Sequence, residues 1–326
     1  MGITWSQFFP PSPTLTEANL PSQKGKVFIV TGGYSGVGFE LCKFLYQAGG
    51  KVYLAGRSQQ KATDAIKLIK DSKPSSGGEI IFLSLHLDDL VTIKPAVQKF
   101  TAAESRLDVL FNNAGVSNPP RGSLSTQGHE LQLATNCLGP HILTQLLLPI
   151  LKRTAQDAPS ASVRVIWLSS IVTDVGAPKH GLGAKELQEL LSRDTSPQRN
   201  YQHSKVGNWF LADALAKEVG SDGVLSVVVN PGNLKSGLTR HLPKLVPVVF
   251  GPLLYHTKFG AYTELWAGLS SDLKITDGGK YIIPWGRLHS KPREDILEAM
   301  KTKEEGGTGD AATFVHYCDD QIANFK

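Results

Sequence analysis

The chain has 326 residues, 41% of them apolar and 19% charged, with a formal net charge of +5 and a pI near 8.9. That composition supports a substantial core and excludes a disordered chain, and the lysines and arginines are scattered rather than gathered into the dense basic run that nucleic-acid binding favours. Three cysteines, Cys42, Cys137 and Cys318, lack metal-ligand spacing, and their odd number argues against a disulfide framework, so a reducing, cytoplasmic setting and no metal are expected. Length alone leaves one large α/β domain or two small ones open, and no window reaches the ~18 apolar residues a membrane-spanning helix needs.

Residues 1–23 read as an N-terminal arm. Met1-Gly2-Ile3-Thr4-Trp5-Ser6 fits the loose pattern for N-myristoylation, but no basic cluster follows, and one acyl chain anchors only marginally. A weak peripheral membrane contact is the most this implies. The competing expectation is that Trp5, Phe8 and Phe9 pack the arm onto the body. There is no secretory apolar region.

Lys26-Val27-Phe28-Ile29-Val30 is a short apolar, β-branched run that reads as a buried strand over 26–31. Thr31-Gly32-Gly33-Tyr34-Ser35-Gly36-Val37-Gly38 follows at once, and then a helical pattern over 36–48. Strand, glycine turn and helix in that order are the context of a dinucleotide-binding turn. Gly32, Gly36 and Gly38 would allow the tight turn and the close approach of backbone to pyrophosphate. The helix start, with Ser35 and Val37, offers free N–H groups to the anion.

The next strand, 51–56, ends in Gly56-Arg57-Ser58 rather than in an acidic residue that would accept hydrogen bonds from an adenosine ribose. Gly56 removes a carboxylate that would repel a 2′-phosphate. Arg57 offers a planar donor fork, and Lys61 one turn further adds charge, so NADP(H) is the expected cofactor. After a helix over 58–72, a strand over 80–85 leads to His86, and a helix fills 89–104. A strand over 107–112 opens onto Asn113-Ala114-Gly115, a helix over 126–155 carries Asn136, and a strand over 163–169 runs into Ser169-Ser170. The helix over 200–219 carries Tyr201 and Lys205. A strand over 224–230 opens onto Pro231-Gly232, and a last strand lies near 280–283.

Strands alternating with helices predict an α/β fold. The expectation is a single doubly wound Rossmann-type domain over 1–326, with a mostly parallel seven-stranded sheet and helices on both faces. Segments 171–199 and 233–262 exceed the minimal pattern, and both follow strand ends where ligands bind in open α/β sheets. The second contains the apolar, proline-broken run Leu245–Tyr255 and reads as a substrate lid. Residues 288–326 form a C-terminal extension.

Tyr201 and Lys205 stand four apart, on one helix face. A cation held there favours tyrosinate and lowers a phenol pKa that is about 10 in the free side chain. Such a pair makes an acid/base able to exchange a proton with an alcohol or carbonyl oxygen near neutral pH.

The Thr31-Gly-x-x-x-Gly-x-Gly turn departs from Gly-x-Gly-x-x-Gly and resembles that of the short-chain dehydrogenase/reductase family. Leu110-Phe111-Asn112-Asn113-Ala114-Gly115 resembles the family's strand-end Asn-Asn-Ala-Gly, and Asn136 matches its helical asparagine. Val165–Ser170 resembles the strand ending in the active-site serine, and Asn230-Pro231-Gly232 the Pro-Gly turn. These motifs fall in the family's order over about residues 24 to 285. The likeness is to the retinol-dehydrogenase-like branch, especially fungal members acting on polyketide, terpenoid or alkaloid intermediates.

The resemblance implies a role for each position. Ser170, rather than Ser169, would polarise a substrate carbonyl. Tyr201 would deliver the proton, and Lys205 would bind the nicotinamide ribose and depress the Tyr201 pKa. Asn136 would hold a water linking Lys205 to solvent. Asn113, Ala114 and Gly115 would line the adenosine and ribose side. Pro231, Gly232, Leu234 and Ser236 would hold the nicotinamide, with Ser236 where the family prefers Thr. His86 stands where the family usually has Asp, and its imidazole would accept the adenine amino proton. The implied partner is a small, bulky and apolar ketone, aldehyde or alcohol, and a homo-oligomer is open. A non-redox isomerase or cyclase and a cofactor-sensing module on the same scaffold are the alternatives, which the intact Ser170, Tyr201 and Lys205 set disfavours.

Overall fold

The computed structural model describes residues 2–192, 195–235 and 254–326. Strand β1 (Val27–Thr31) is buried throughout. It hydrogen-bonds in parallel to β2 (Lys51–Gly56) on one side and to β4 (Val109–Asn112) on the other. β3 (Glu79–Ser84), β5 (Val163–Leu168), β6 (Val224–Val229) and β7 (Tyr281–Ile283) complete the parallel part, in the order β3-β2-β1-β4-β5-β6-β7. Near-continuous Val, Ile and Leu in β1, β5 and β6 fit strands covered on both faces.

An eighth strand corrects the expected seven. β8 (Arg287–Leu288) pairs antiparallel with β7 at the edge, Ile282 opposite Leu288 and Ile283 opposite Arg287. Two residues, one of them charged, leave no periodic trace in the sequence.

Helices α2 (Gly36–Gln47), α3 (Gln59–Ser72) and α10 (Thr257–Leu269) cover one face, where Leu41, Leu45, Ile69 and Leu265 are fully buried. The other face carries α4 (Ile93–Ala103), α6 (Gly139–Gln156) and α9 (Pro197–Val219), which bury Phe100, Leu147 and Trp209. The helix expected over 126–155 begins only at α5 (Leu131–Leu133), because Gly128 adopts φ +80° and a turn forms in which the Ser125 N–H donates to His129 O and the His129 N–H to Ser125 Oγ. A π turn over Ala134–Leu138 joins α5 to α6.

The C-terminal extension folds as α11 (Glu294–Met300) and α12 (Asp310–Ile322), and α12 lies against α9. Phe314, fully buried, packs 6.4 Å from the Phe210 ring, and a Cβ at Gly207 would stand 2.7 Å from it. From α6, His141 also bonds Asp319 of α12 at 2.9 Å. The three cysteines are free and buried. The N-terminal arm contains α1 (Gly2–Phe8). Of the three aromatics expected to pack the arm, Phe8 is half-buried, whereas Trp5 and Phe9 are exposed and lie tilted against each other at 4.5 Å; Gln7 is 1% exposed. Among the described residues no helix is long and apolar enough to cross a membrane.

Candidate active site

The strand order reverses between β1 and β4, and in open α/β sheets ligands bind outside the carboxyl ends at such a point. Thr31 and Asn113 stitch the two strand ends together. The Thr31 hydroxyl donates to Phe111 O and accepts from the Ala114 N–H at 2.9 Å, while Asn113 Nδ2 donates to Thr31 O at 2.7 Å. Asn113 is therefore turned into the protein as a latch, where the resemblance would have it line the cleft. Gly36, at φ +59°, opens α2 in a conformation that disfavours a side chain, and no atom lies within 4 Å of the position a Cβ would take. Gly38 is needed for packing: a Cβ there would lie 2.6 Å from Asn113 Nδ2 and 2.7 Å from Gly32 O. Ser35 precedes α2 without capping it through its side chain, which leaves first-turn N–H groups for an anion. Val37 is buried.

At the end of β2, the Arg57 side chain is 61% exposed and pairs with Asp88 Oδ2 at 3.1 Å. An exposed pair of this kind is worth about 0–1 kcal/mol, so a stronger anion could take the guanidinium from it. The Tyr34 ring lies across Gly56, where a Cβ would stand 2.3 Å from Tyr34 Cε1. Lys61 is exposed on α3, and its N–H is capped by Ser58 Oγ. The half-buried His86 contributes its carbonyl to Asp89 and Thr92. Tyr34 and Asp88 had no signal in the sequence, because only the reversal of the chain after β1 brings them to Gly56 and Arg57.

The chemistry gathers at the end of β5. Ser196 caps α9 by accepting from the Arg199 N–H, and Pro197 suits the first turn, so Tyr201 and Lys205 sit in the second and third turns. Ser169, 2% exposed, gives its hydroxyl proton to Lys205 O at 2.8 Å, while Ser170 is half-buried. The Ser170 side chain lies close enough to the Tyr201 phenol to influence its ionisation. Lys205 Nζ donates to Leu168 O at 2.8 Å, as does Asn208 Nδ2, and lies 5.6 Å from the Tyr201 ring centre.

Burial raises the Tyr201 pKa to about 12, with Ser170 opposing, which is the reverse of the expected depression. Burial also lowers that of Lys205 to about 8. The phenol loses more by desolvation than the nearby Ser170 returns, and the ammonium is spent on a backbone carbonyl rather than on the phenol oxygen.

Asn136 sits in the π turn, a kind of irregularity often found at functional sites. Its carboxamide accepts from Val116 N and donates to Val116 O and Ser204 Oγ, and Ser204 in turn donates to Tyr201 O. Asn136 thus braces the Gly115 loop against α9. A Cβ on Gly115 would fall 3.2 Å from Asn136 Oδ1 and 3.4 Å from Lys205 Nζ. Ser204, Asn208 and Tyr281, whose hydroxyl donates to Ser170 O at 2.7 Å, are further residues the sequence did not mark.

Pro231 and Gly232 turn the chain at the end of β6, with Gly232 at φ +96° against Trp285. Leu234 is buried against Gly260 and bridges to Tyr255. Ser236 and residues 236–253 of the expected lid lie outside the described residues.

Behind this turn, α10 buries Glu264 to 1% exposure with neither carboxyl oxygen bonded, and burial lifts its pKa from 4.5 to about 8. Between those values the folded chain keeps a proton that the unfolded chain has released, so stability falls as pH rises. Glu264→Gln should therefore raise the Tm at pH 8, by a stability on the order of 3 kcal/mol, and leave it unchanged at pH 4. Calorimetric scans at the two pH values check this.

Residues 26–182 match the family model described as short chain dehydrogenase. A short-chain dehydrogenase/reductase of Neocamarosporium betae is 42% identical, covering 98% of this chain and 93% of its own. One of Phomopsis amygdali is 44% identical, covering 98% and 96%. Among solved structures, an uncharacterized protein of Mycobacterium paratuberculosis has a TM-score of 0.67 at 26% identity, over 96% of this chain and 98% of its own. An NADPH-bound carbonyl reductase from chicken fatty liver has a TM-score of 0.60 at 22% identity, over 83% and 100%, a likeness of fold alone. With both fungal relatives above 40% identity over nearly the full length, this chain belongs to the short-chain dehydrogenase/reductase family of nicotinamide-dependent oxidoreductases.

Proposed function

We propose that the protein is an NADP(H)-dependent oxidoreductase acting between an apolar ketone or aldehyde and the corresponding alcohol, with Tyr201 as acid/base. The observation that carries this reading is the convergence of Ser170, Tyr201 and the buried Lys205 at the carboxyl end of β5, where Lys205 Nζ donates to Leu168 O and Ser169 Oγ to Lys205 O. The glycine turn suits a nucleotide, since the space at Gly36 and the uncapped start of α2 accept a pyrophosphate. When bound, the nicotinamide supplies or accepts the hydride.

In reduction, Ser170 donates a hydrogen bond to the substrate oxygen, and Tyr201 transfers its phenolic proton to that oxygen as the C–H bond forms. Lys205 places positive charge beside the developing tyrosinate and would donate to the ribose hydroxyls of the cofactor. Asn136, through Ser204, holds Tyr201 and Lys205 in register. Pro231, Gly232, Leu234 and Ser236 would contact the nicotinamide. Ala114 and Gly115 would contact the ribose side, and His86 the adenine.

The apolar substrate class is supported by the aromatic cluster next to the Gly232 turn. There the rings of Tyr255, Phe259 and Trp285 approach one another at 5.1 to 5.7 Å. Following NADPH absorbance against a panel of apolar ketones and alcohols tests the reading, and cofactor binding without turnover on any of them would count for a sensing module instead.

The preference for NADP(H) rests on Gly56 and Arg57. Arg57→Ala is expected to raise the NADPH KM by ~10-fold, the loss of one charge-assisted contact, while leaving the NADH KM within about twofold. Equal effects on the two coenzymes would remove Arg57 from a 2′-phosphate site.

A further inference from the structure

The N-terminal arm enters the active-site region through one side chain. Gln7 is 1% exposed, whereas its neighbours Trp5 and Phe9 are 66% and 44% exposed. Around Gln7 the arm is thus held by directional polar contacts, while Leu15 and Leu20 further along pack against the core. Both ends of the Gln7 carboxamide are used: Nε2 donates to Asp174 Oδ2 at 2.7 Å, and Oε1 accepts from Asn230 Nδ2 at 2.8 Å. Arg287 adds a bond from Nη2 to Ser6 O at 2.8 Å, and the Tyr255 hydroxyl donates to Phe8 O.

Each partner of Gln7 belongs to an element of the site. Asn230 precedes the Pro231-Gly232 turn, and its Oδ1 accepts the Gly232 N–H at 3.0 Å. By accepting a hydrogen bond from Asn230 Nδ2, Gln7 Oε1 fixes which way that amide faces, and so fixes the turn. Asp174 lies in helix α7 (Val172–Val175), which begins two residues after Ser170. Its Oδ2 also meets His289 Nε2 at 3.1 Å, and the Asp174 and His289 side chains are 6% and 4% exposed. His289 Nδ1 accepts from the Lys291 N–H, so the proton on Nε2 points at Asp174. Among the described residues Asp174 Oδ1 has no partner, so Oδ2 alone ties the carboxylate to Gln7 and His289, and removing Gln7 would strip one of its two bonds.

We infer that Gln7 is a positioning residue for the reaction: it ties the serine-bearing loop to the turn that would face the nicotinamide. This rests on the oxidoreductase reading above. Angstrom-scale misplacement of reacting groups costs up to ~100-fold in rate. Gln7→Leu in the full chain should lower kcat by ~10- to 100-fold, with the NADPH dissociation constant unchanged within about twofold and Trp5→Ala without effect on kcat. Gln7→Glu separates position from mere packing. Protonated, it can still donate to Asp174 and accept from Asn230, while as a carboxylate it repels Asp174. Relative to the wild type at the same pH, this variant should keep most activity at pH 5.5 and lose it by pH 8.

If Gln7→Leu lowers the Tm but the folded enzyme keeps its kcat, the positioning role is overturned. If Gln7→Leu fails to fold, a Gln7→Glu enzyme whose relative kcat is the same at both pH values overturns it equally. A wild-type chain that binds NADPH yet turns over no carbonyl or alcohol sinks the oxidoreductase reading itself, a distinct result.

Discussion

Tyr201→Phe is expected to lower kcat on every accepted ketone by ~10²- to 10⁴-fold, the usual worth of a positioned proton donor, while NADPH binding persists. Only the hydroxyl is lost. The ring keeps its place on α9, which is held to β5 by Ser169, Lys205 and Asn208 and to the Gly115 loop through Ser204 and Asn136. The glycine turn and Arg57 lie on other strands and are untouched. With a pKa near 12, raised by burial, the phenol stays protonated through the neutral range and is ready to donate. Alcohol oxidation needs the opposite state, so its kcat/KM should climb with pH well past neutrality, while reduction should not. Stopped-flow rates and nucleotide titration on the variant measure both quantities. A near wild-type rate would take Tyr201 out of the acid/base role.

Lys205→Met should separate stability from activity. Burial holds the Lys205 pKa near 8, well below its ordinary 10.5. Between those values the unfolded chain binds a proton that the folded chain does not, so stability rises with pH across that window and the cost of burying the ammonium is fullest below pH 8. Removing the charge is then expected to stabilise the fold at pH 7 by roughly 2–3 kcal/mol, a gain that fades toward pH 10.5. Leu168 O is not orphaned by the change, because Asn208 Nδ2 also donates to it. Turnover should fall by at least ~10²-fold all the same. In the wild type, kcat/KM for reduction should decline above about pH 8 as the free enzyme's Lys205 loses its proton. Thermal scans with steady-state kinetics decide the matter; a less stable Lys205→Met at pH 7 would contradict the desolvation account.

Local patterns carried a great deal. Apolar runs marked the strands buried on both faces, and the glycine turn between β1 and α2 was legible because strand, turn and helix are neighbours in sequence. Tyr201 and Lys205 were readable because helix geometry alone puts residues four apart on one face. What local pattern missed falls into two kinds. Short or irregular pieces, such as Arg287–Leu288 of β8 and the π turn at Asn136, contain too few residues to show a period. Contacts between remote segments, such as Tyr34 across Gly56 or Tyr281 on Ser170 O, depend on where the chain returns.

The sequence by itself determined the layered α/β plan, the glycine turn between β1 and α2 and the identities of the hydroxyl, phenol and amine, since these follow from periodicity and spacing within single elements. Only the tertiary structure decided their electrostatic state. Desolvation inside the folded chain, which no spacing encodes, raises the Tyr201 pKa and lowers that of Lys205. It also decided that Asn113 and Asn136 are braces and that Gln7, more than two hundred residues from Asn230, reaches the site. Hydrogen bonds across such separations exist only once the core has brought the strand ends together.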